Sequence, residues 1–353
     1  MKRTKIAGVG RYIPEWTVTN FDLEKLMDTN DAWIQERSGI VERHFVTPGE
    51  DTGSTMAAKA SKIAIEKAGI EPKDVDFIIF ATLSPDYFFP GNGVLLQRLL
   101  GISGTEIPAL DIRNQCSGFI YGLEIADQFI KTGKYKNILL VGSEYHSGGL
   151  DFSTRGRGVS VLFGDGAGAV ILQATEEEGK GVLTTHIHSN GTDAEVLATL
   201  SPGLHGGYHD EDKEKFGFGE DRKFKSILIN QKMLDDALIF PYMEGQTVFK
   251  TAVTKFPQVI LEALKTTGYT AEDLKLVIPH QANLRISQFV QRMLKLRDDQ
   301  MFNNIQKYGN TTAASIPIAL SEVLEQNLIG SGDLLMLAAF GSGFTWGSAL
   351  IRW

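Results

Sequence analysis

Apolar and polar positions follow a pattern that occurs twice in this chain. Residues 64–80 (AIEKAGIEPKDVDFIIF) align without a gap on residues 263–279 (ALKTTGYTAEDLKLVIP), matching Gly69 with Gly268, Asp74 with Asp273, Val75 with Leu274 and Ile78 with Val277. Each copy reads as an amphipathic helix, a glycine suited to the left-handed position after it, a short acidic turn and a buried strand. The uninterrupted runs FIIFAT and LVIP suit strands covered on both faces. Helical periodicity over 116–132 precedes Gly133 and the strand run 137–143, and helical periodicity over 311–327 precedes Gly330 and the strand run 334–340. Each half then closes on another strand, at 167–173 and at 347–353. Repeated strand–helix–strand units predict an α/β chain whose mixed or mostly parallel sheets are covered by helices. Two like halves, residues 1–175 and 176–353, predict a pseudo-twofold sandwich.

One stretch breaks the pattern. Residues 201–240 are rich in glycine and charge and read as a long excursion, either a functional loop or a surface insertion.

Composition narrows the class. The chain has 353 residues, of which 42% are hydrophobic and 22% charged, enough to bury a large core without disulfides. A net charge of −8 argues against broad nucleic-acid binding, so a phosphate-bearing ligand needs a local basic patch. No run approaches the roughly 18 uncharged apolar residues of a membrane span. The N-terminal MKRTKIAGVGRYIP lacks the apolar segment of a signal peptide. The single cysteine, Cys116, excludes an internal disulfide and fits a reducing, cytoplasmic setting. His186 and His188 alternate on a predicted strand with nothing nearby to complete a metal site, so no metal is expected.

Three positions carry candidate chemistry. Cys116 lies where the strand PALDIR turns into a helix, and the field at a helix N-terminus is expected to lower a thiol pKa. Position alone leaves a buried structural cysteine equally open. His280, in VIPHQANLR, ends a predicted buried strand, the usual place for a ligand in an open α/β sheet. Asn310, in KYGNTTAAS, reads as a polar cap at a helix start. That helix is the counterpart of the one begun by Cys116, and the pseudo-twofold points the two starts at a shared centre. The glycine-rich AAFGSGFTWG, residues 338–347, follows a strand and can aim a backbone N–H at an oxyanion. GDGAG at 164–168 precedes a strand rather than a helix and fails as a dinucleotide fingerprint.

Together the motifs DLEKLMDTNDAWIQERSGIVERH, CSGF, FGDGAGA, PHQANLR, YGNTTAAS and FGSGFTWG resemble β-ketoacyl-[acyl-carrier-protein] synthase III, a family of the thiolase superfamily. The resemblance covers nearly the whole chain outside the excursion. It implies a thiolase-like fold of layered α-β-α-β-α form. It also implies a Cys116–His280–Asn310 triad that forms an acyl-enzyme from an acyl-CoA and condenses it with a decarboxylating malonyl-carrier thioester. Backbone N–H groups of Cys116 and Gly343 are implied as the oxyanion hole, each donor worth roughly 3–4 kcal/mol in the transition state. Trp33 and Arg155 are implied to sandwich the adenine of CoA, with Arg37 and Asn283 as further CoA contacts. The segment Gln281, Ala282, Asn283, Leu284 and Arg285 is implied as the carrier-protein docking element, and Phe89 as a residue reaching the partner's acyl pocket in a homodimer. No cofactor is implied.

Two departures stand out. Arg113, Asn114 and Gln115 replace the small apolar residues usual before the cysteine, and a buried Arg113 would need a carboxylate partner. The excursion, with Phe216, Phe218 and Phe224, lies where the family's substrate tunnel opens. Both leave a specialised relative making resorcinols, quinolones or polyenes as an alternative, beside acyl transfer to another acceptor on the same scaffold. A non-catalytic scaffold is disfavoured because all three triad residues are present.

Overall fold

The computed structural model describes residues 2–204 and 228–353. Its strands are β1 (Arg3–Tyr12), β2 (Trp16–Thr19), β3 (Glu42–Phe45), β4 (Phe77–Ala81), β5 (Ala109–Ile112), β6 (Asn137–Glu144), β7 (Gly166–Thr175), β8 (Gly181–Ser189), β9 (Leu197–Ala198), β10 (Tyr242–Met243), β11 (Leu276–Pro279), β12 (Leu334–Gly341) and β13 (Thr345–Arg352). The buried runs pair into two sheets of like order, β1-β7-β6-β4-β5 and β8-β13-β12-β11. In the first, β4 and β6 are parallel and β7 and β1 add antiparallel; in the second, β11 and β12 are parallel and β13 and β8 add antiparallel. β5 extends the first sheet, parallel to β4. At the same place the second sheet has one parallel bridge, Val277 to Met301.

Helices fill the layers as the apolar pattern requires. Gly118–Lys131 and Ser315–Glu325 lie between the sheets, where Phe119, Ile120, Leu123, Ile316 and Leu320 are buried against Ile79, Leu140, Ile278 and Leu337. Each such side chain contributes roughly 1.5–3 kcal/mol by leaving water. Gly53–Lys67 and Asn92–Leu99 cover the outer face of the first sheet. Gly245–Thr267 and Leu284–Met293 cover that of the second. The architecture is the α-β-α-β-α sandwich expected from the motifs.

The internal echo is a structural one. Gly69 and Gly268 both follow their helices with left-handed φ, +68° and +77°. Asp74 and Asp273 then accept from the backbone N–H of Glu71 and Thr270 at 2.8 and 2.7 Å. One match differs. The counterpart of Gly133 (φ +76°) is Asn327 (φ +54°), not Gly330. Asn327 repeats the helix-end hydrogen bonds of Gly133, and asparagine tolerates this conformation better than most residues.

Both central helices start later than their apolar periodicity, because each is preceded by a single 3-10 turn: Gln115–Ser117 before the first and Thr312–Ala314 before the second. Gln115 and Thr312 take matching left-handed conformations, φ +43° and +47°. Cys116 and Ala313 are therefore pseudosymmetric counterparts. Of the excursion, Ser201–Leu204 and residues 228–240 are described, with Met233 of helix Gln231–Asp235 buried beneath Ser201. Phe216, Phe218 and Phe224 lie outside the described residues. Among the described residues no helix is long and apolar enough to cross a membrane.

Candidate active site

Cys116 sits in the turn that leaves β5, buried beneath the end of β12. A Cβ built on Gly341, the last residue of β12, would lie 2.4 Å from the Cys116 Cβ and 3.0 Å from its Sγ, so only glycine fits there. The loop after Gly341 docks on the same turn, with Thr345 Oγ1 2.7 Å from Ser117 Oγ. It aims the Ser342 N–H at the Cys116 sulfur. Gly343 follows in this loop with φ +131°.

The turn Thr312–Ala314 is the hub to which the other two residues are tied. A Cβ on Gly118 would come within 3.5 Å of Ala313 Cβ, so the two helix-start turns pack face to face. Asn310 accepts from the Thr312 N–H through Oδ1 at 2.9 Å. Its own backbone is fixed on both sides by the segment entering the GDGAG motif, donating to Leu162 O at 2.8 Å and accepting from Gly164 N at 3.1 Å. That glycine-rich motif therefore seats a backbone, not a phosphate. Ser315, just past the turn, lies 2.7 Å by its Oγ from His280 Nδ1. His280 is held by its N–H donating to Ala338 O of β12 at 2.8 Å, and its buried Nε2 has no hydrogen-bond partner among the described residues.

Four buried titratable groups surround this hub. Burial pushes the Cys116 thiol up to about 12, the Glu144 carboxylate adds to the rise, and the N–H groups of Ser342 and Cys116 oppose it. The thiol is thus neutral at pH 7, contrary to the lowering expected from the helix start. Desolvation is the largest cause of the rise and exceeds the lowering by the two N–H groups. Burial pushes His280 down to about 3, and burial together with His280 pushes His146 down to about 3, so both rings are neutral. Glu144, at the end of β6, is raised to about 7 by burial, although Ser84, Leu83, Thr82 and Ala313 donate to it. Sequence reasoning missed Glu144 and His146. The signal was the one used for His280, polar residues where a buried strand run ends.

Three surface positions are placed as follows. Arg155 does not stack on Trp33. It is tied to Asp151 at 2.7 Å and lies 5.8 Å from the Phe240 ring, whereas Arg37 and Arg157 lie over Trp33 at 4.6 and 5.8 Å. The RGRG repeat offers two arginines two residues apart, and the chain turns the second toward Trp33. Gln281 cannot meet a partner protein, being 2% exposed. Its Nε2 donates to Pro279 O at 2.7 Å, and its Oε1 accepts from the backbone of Asn304 and Ile305. Arg113, directly after the edge strand β5, is exposed in the single chain.

Other residues lie as follows. Asn283 caps the helix Leu284–Met293, accepting from Arg285 N and donating to Arg37 O, both at 2.9 Å. Ala282 and Leu284 are half-buried and Arg285 is exposed. Phe89 is 80% exposed, next to the exposed Tyr87 and Phe88. His186 and His188 share Glu262 as a partner, and among the described residues no group of side chains is arranged to hold a metal ion.

Comparison with known proteins matches residues 110–191 to the model of 3-oxoacyl-[acyl-carrier-protein] synthase III and residues 264–353 to that of its C-terminal part. The β-ketoacyl-[acyl-carrier-protein] synthase III of Caldanaerobacter subterraneus subsp. tengcongensis is 42% identical over 348 residues, covering 99% of this chain and 97% of that protein. The chain belongs to the β-ketoacyl-[acyl-carrier-protein] synthase III family. β-Ketoacyl-[acyl-carrier-protein] synthase III 1 of Bacillus anthracis is 41% identical over 348 residues, 99% of this chain and 98% of that one. The crystal structure of 3-oxoacyl-[acyl-carrier-protein] synthase III from Aquifex aeolicus VF5 superposes with a TM-score of 0.85 at 40% identity, covering 99% and 100% of the two chains. The chain is thus an acyltransferase, a condensing enzyme that initiates fatty acid synthesis. Full-length identity at this level does not favour a specialised secondary-metabolite enzyme or transfer to another acceptor.

Proposed function

We propose that Cys116, His280 and Asn310 carry the condensation, with an acyl-CoA as first substrate and malonyl-[acyl-carrier-protein] as second. The observation that carries this reading is the buried Nε2 of His280, which has no partner among the described residues. Ser315 Oγ accepts from Gln281 N at 3.4 Å, and in the tautomer this reading requires it donates its own hydrogen to His280 Nδ1. The imidazole proton then resides on Nε2, where a neutral ring can donate to an oxygen gaining charge.

In the first half-reaction Cys116 Sγ bonds to the acyl carbon, the bond to the CoA sulfur breaks, and the thiol proton passes to that sulfur. The Ser342–Phe344 loop and the Cys116 N–H supply backbone donors for the tetrahedral oxyanion. In the second, the malonyl carboxylate leaves as CO2. His280 Nε2–H and the Asn310 amide hydrogen-bond the enolate oxygen that forms. The enolate carbon attacks the acyl-enzyme, the C–S bond to Cys116 breaks, and the sulfur takes a proton from solvent. The chemistry balances without metal, oxidant or organic cofactor.

Trp33, Arg37 and Arg157 form the platform for the CoA nucleotide, a planar ring with two cations for adenine and phosphate. Arg285, exposed beside it on the helix after Asn283, is placed to meet an acidic carrier protein. Tyr87, Phe88 and Phe89 form an exposed aromatic cluster on the loop after β4, which itself pairs with the exposed edge strand β5. A second copy of the chain, in a cytoplasmic homodimer, covers this surface.

The deciding experiment incubates wild type and Cys116→Ala with a panel of acyl-CoAs and reads intact mass. An acyl adduct on wild type alone is expected. No adduct from any acyl-CoA would overturn the assignment of the nucleophile.

A further inference from the structure

The segment leaving β6 reaches the same hub from below. Gly142, Glu144 and His146 lie two apart, and all three meet the turn Thr312–Ala314. A Cβ on Gly142 would lie 2.3 Å from Ala313 O, so the turn rests on bare backbone there. The Ala313 N–H donates to Glu144 Oε1 at 3.5 Å. His146 Nε2 lies 2.7 Å from Thr312 Oγ1. The His146 ring is 6% exposed and packs 4.6 Å from the Phe163 ring.

Thr312 needs such a support. It is a β-branched residue at φ +47°, a conformation that costs such a side chain free energy and persists only where the surroundings impose it. Its N–H holds the Asn310 amide, and its carbonyl accepts from the N–H of Ser315, the partner of His280. Letting Thr312 relax would move both.

We propose that His146 is a positioning residue: through Thr312 Oγ1 it locks the left-handed turn that aims Asn310 and His280 at the second substrate. The proposal rests on the roles given above to Asn310 and His280. It assigns to this enzyme a further histidine that touches no reacting atom and acts on one half-reaction only. Loading of Cys116 depends on the Gln115–Ser117 turn and the Ser342–Phe344 loop, which His146 does not touch. Decarboxylation depends on the turn that it holds.

The full chain is prepared as wild type, His146→Leu, Thr312→Val, the double variant, His146→Gln and Asn310→Ala. Loading of Cys116 from acetyl-, butyryl- and octanoyl-CoA is read by intact mass, and decarboxylation by release of labelled CO2 from a carboxyl-labelled malonyl-carrier thioester. His146→Leu and Thr312→Val are each expected to slow CO2 release on the order of ten- to hundredfold, as a small misplacement of a catalytic group does. Loading should stay within about threefold of wild type, separating the two half-reactions. The double variant should be no worse than the poorer single one, because both remove the same contact. His146→Gln, which keeps a polar group in reach of Thr312, should recover most of the CO2 release. If His146→Leu does not fold, Thr312→Val removes the hydroxyl at nearly equal volume and decides alone. CO2 release unchanged in the variants, or loading and release falling together, overturns the proposal. If Asn310→Ala keeps full CO2 release, the role of Asn310 fails, and the proposal falls with it.

Discussion

Gly341 lies so close to Cys116 that a methyl group on it would overlap the cysteine Cβ at 2.4 Å. The contact joins the end of a strand in one sheet to the turn leaving the other, so it also sets where the sulfur stands. Gly341→Ala should displace that turn and slow loading of Cys116 on the order of a hundredfold. Overpacking of this kind should also cost about 1–3 kcal/mol of stability. Intact mass after acyl-CoA addition and denaturant melts measure the two effects, and normal loading in the variant would mean that the turn has room to move.

The thiol pKa of about 12 predicts how Cys116 meets a small alkylating agent. Only the thiolate reacts, so the iodoacetamide rate should climb about tenfold per pH unit from pH 6 to 9 without levelling off. Glu144, itself raised to about 7, repels the thiolate only once it is ionised, so Glu144→Gln should speed alkylation above about pH 7 and leave the rate near pH 6 little changed. A plateau near pH 7 in wild type would contradict the neutral resting thiol.

The two arginines of RGRG give a sharp contrast. Arg157→Ala should raise KM for acyl-CoA on the order of tenfold while kcat after saturation is kept, the mark of lost ground-state binding. Arg155→Ala, whose guanidinium is engaged by Asp151, should change KM by no more than about twofold. Equal effects of the two would show that the stack on Trp33 does not form with ligand bound.

Burial of His146 sets the sign of one pH effect on stability. Its pKa falls from 6.5 to about 3 on folding, so the unfolded chain takes up a proton between these values that the folded chain does not. The histidine's contribution is full above pH 6.5 and declines as pH falls toward 3. His146→Gln lacks that proton, so the wild type should lose about 1.4 kcal/mol per pH unit relative to the variant between pH 6 and 4. Urea melts of both proteins across that range measure it, and parallel curves would show that the ring is already charged in the fold.

Much of this architecture could be read from residue patterns because burial writes itself into sequence. FIIFAT and LVIP are strands because both faces are covered, and the repeated helix–glycine–acid turn reports a repeated packing problem. The packing of the turn at 312–314 against the turn at 115–117 followed from that repeat, since two like helix starts face each other across the pseudo-twofold. What stayed hidden is decided by close approach. Nothing in the chain marks Thr312 as left-handed, because the turn is held by Asn310 two residues before it and by Glu144 and His146 on the distant segment leaving β6. Which arginine of RGRG turns to Trp33 depends on Asp28 and Asp151, each bonded to one of them. Gln281 looked like a surface residue because its neighbours are polar, yet its amide joins Pro279 to Asn304 and Ile305.

The pairing of Cys116 with Ala313 has a further consequence. A fold of two like halves offers two equivalent niches, one at each helix start, and only one holds a thiol. The other holds a methyl group, and its neighbours Asn310 and Ser315, in the mechanism proposed above, attend the second substrate. A duplicated plan thus yields a division of labour: one half bears the electrophile and the other tends the nucleophile that attacks it. Two thiols facing each other across the axis would have made a redox pair, prone to close on itself and leave neither free. The small side chain at Ala313 keeps the meeting point of the halves open for a carbon–carbon bond.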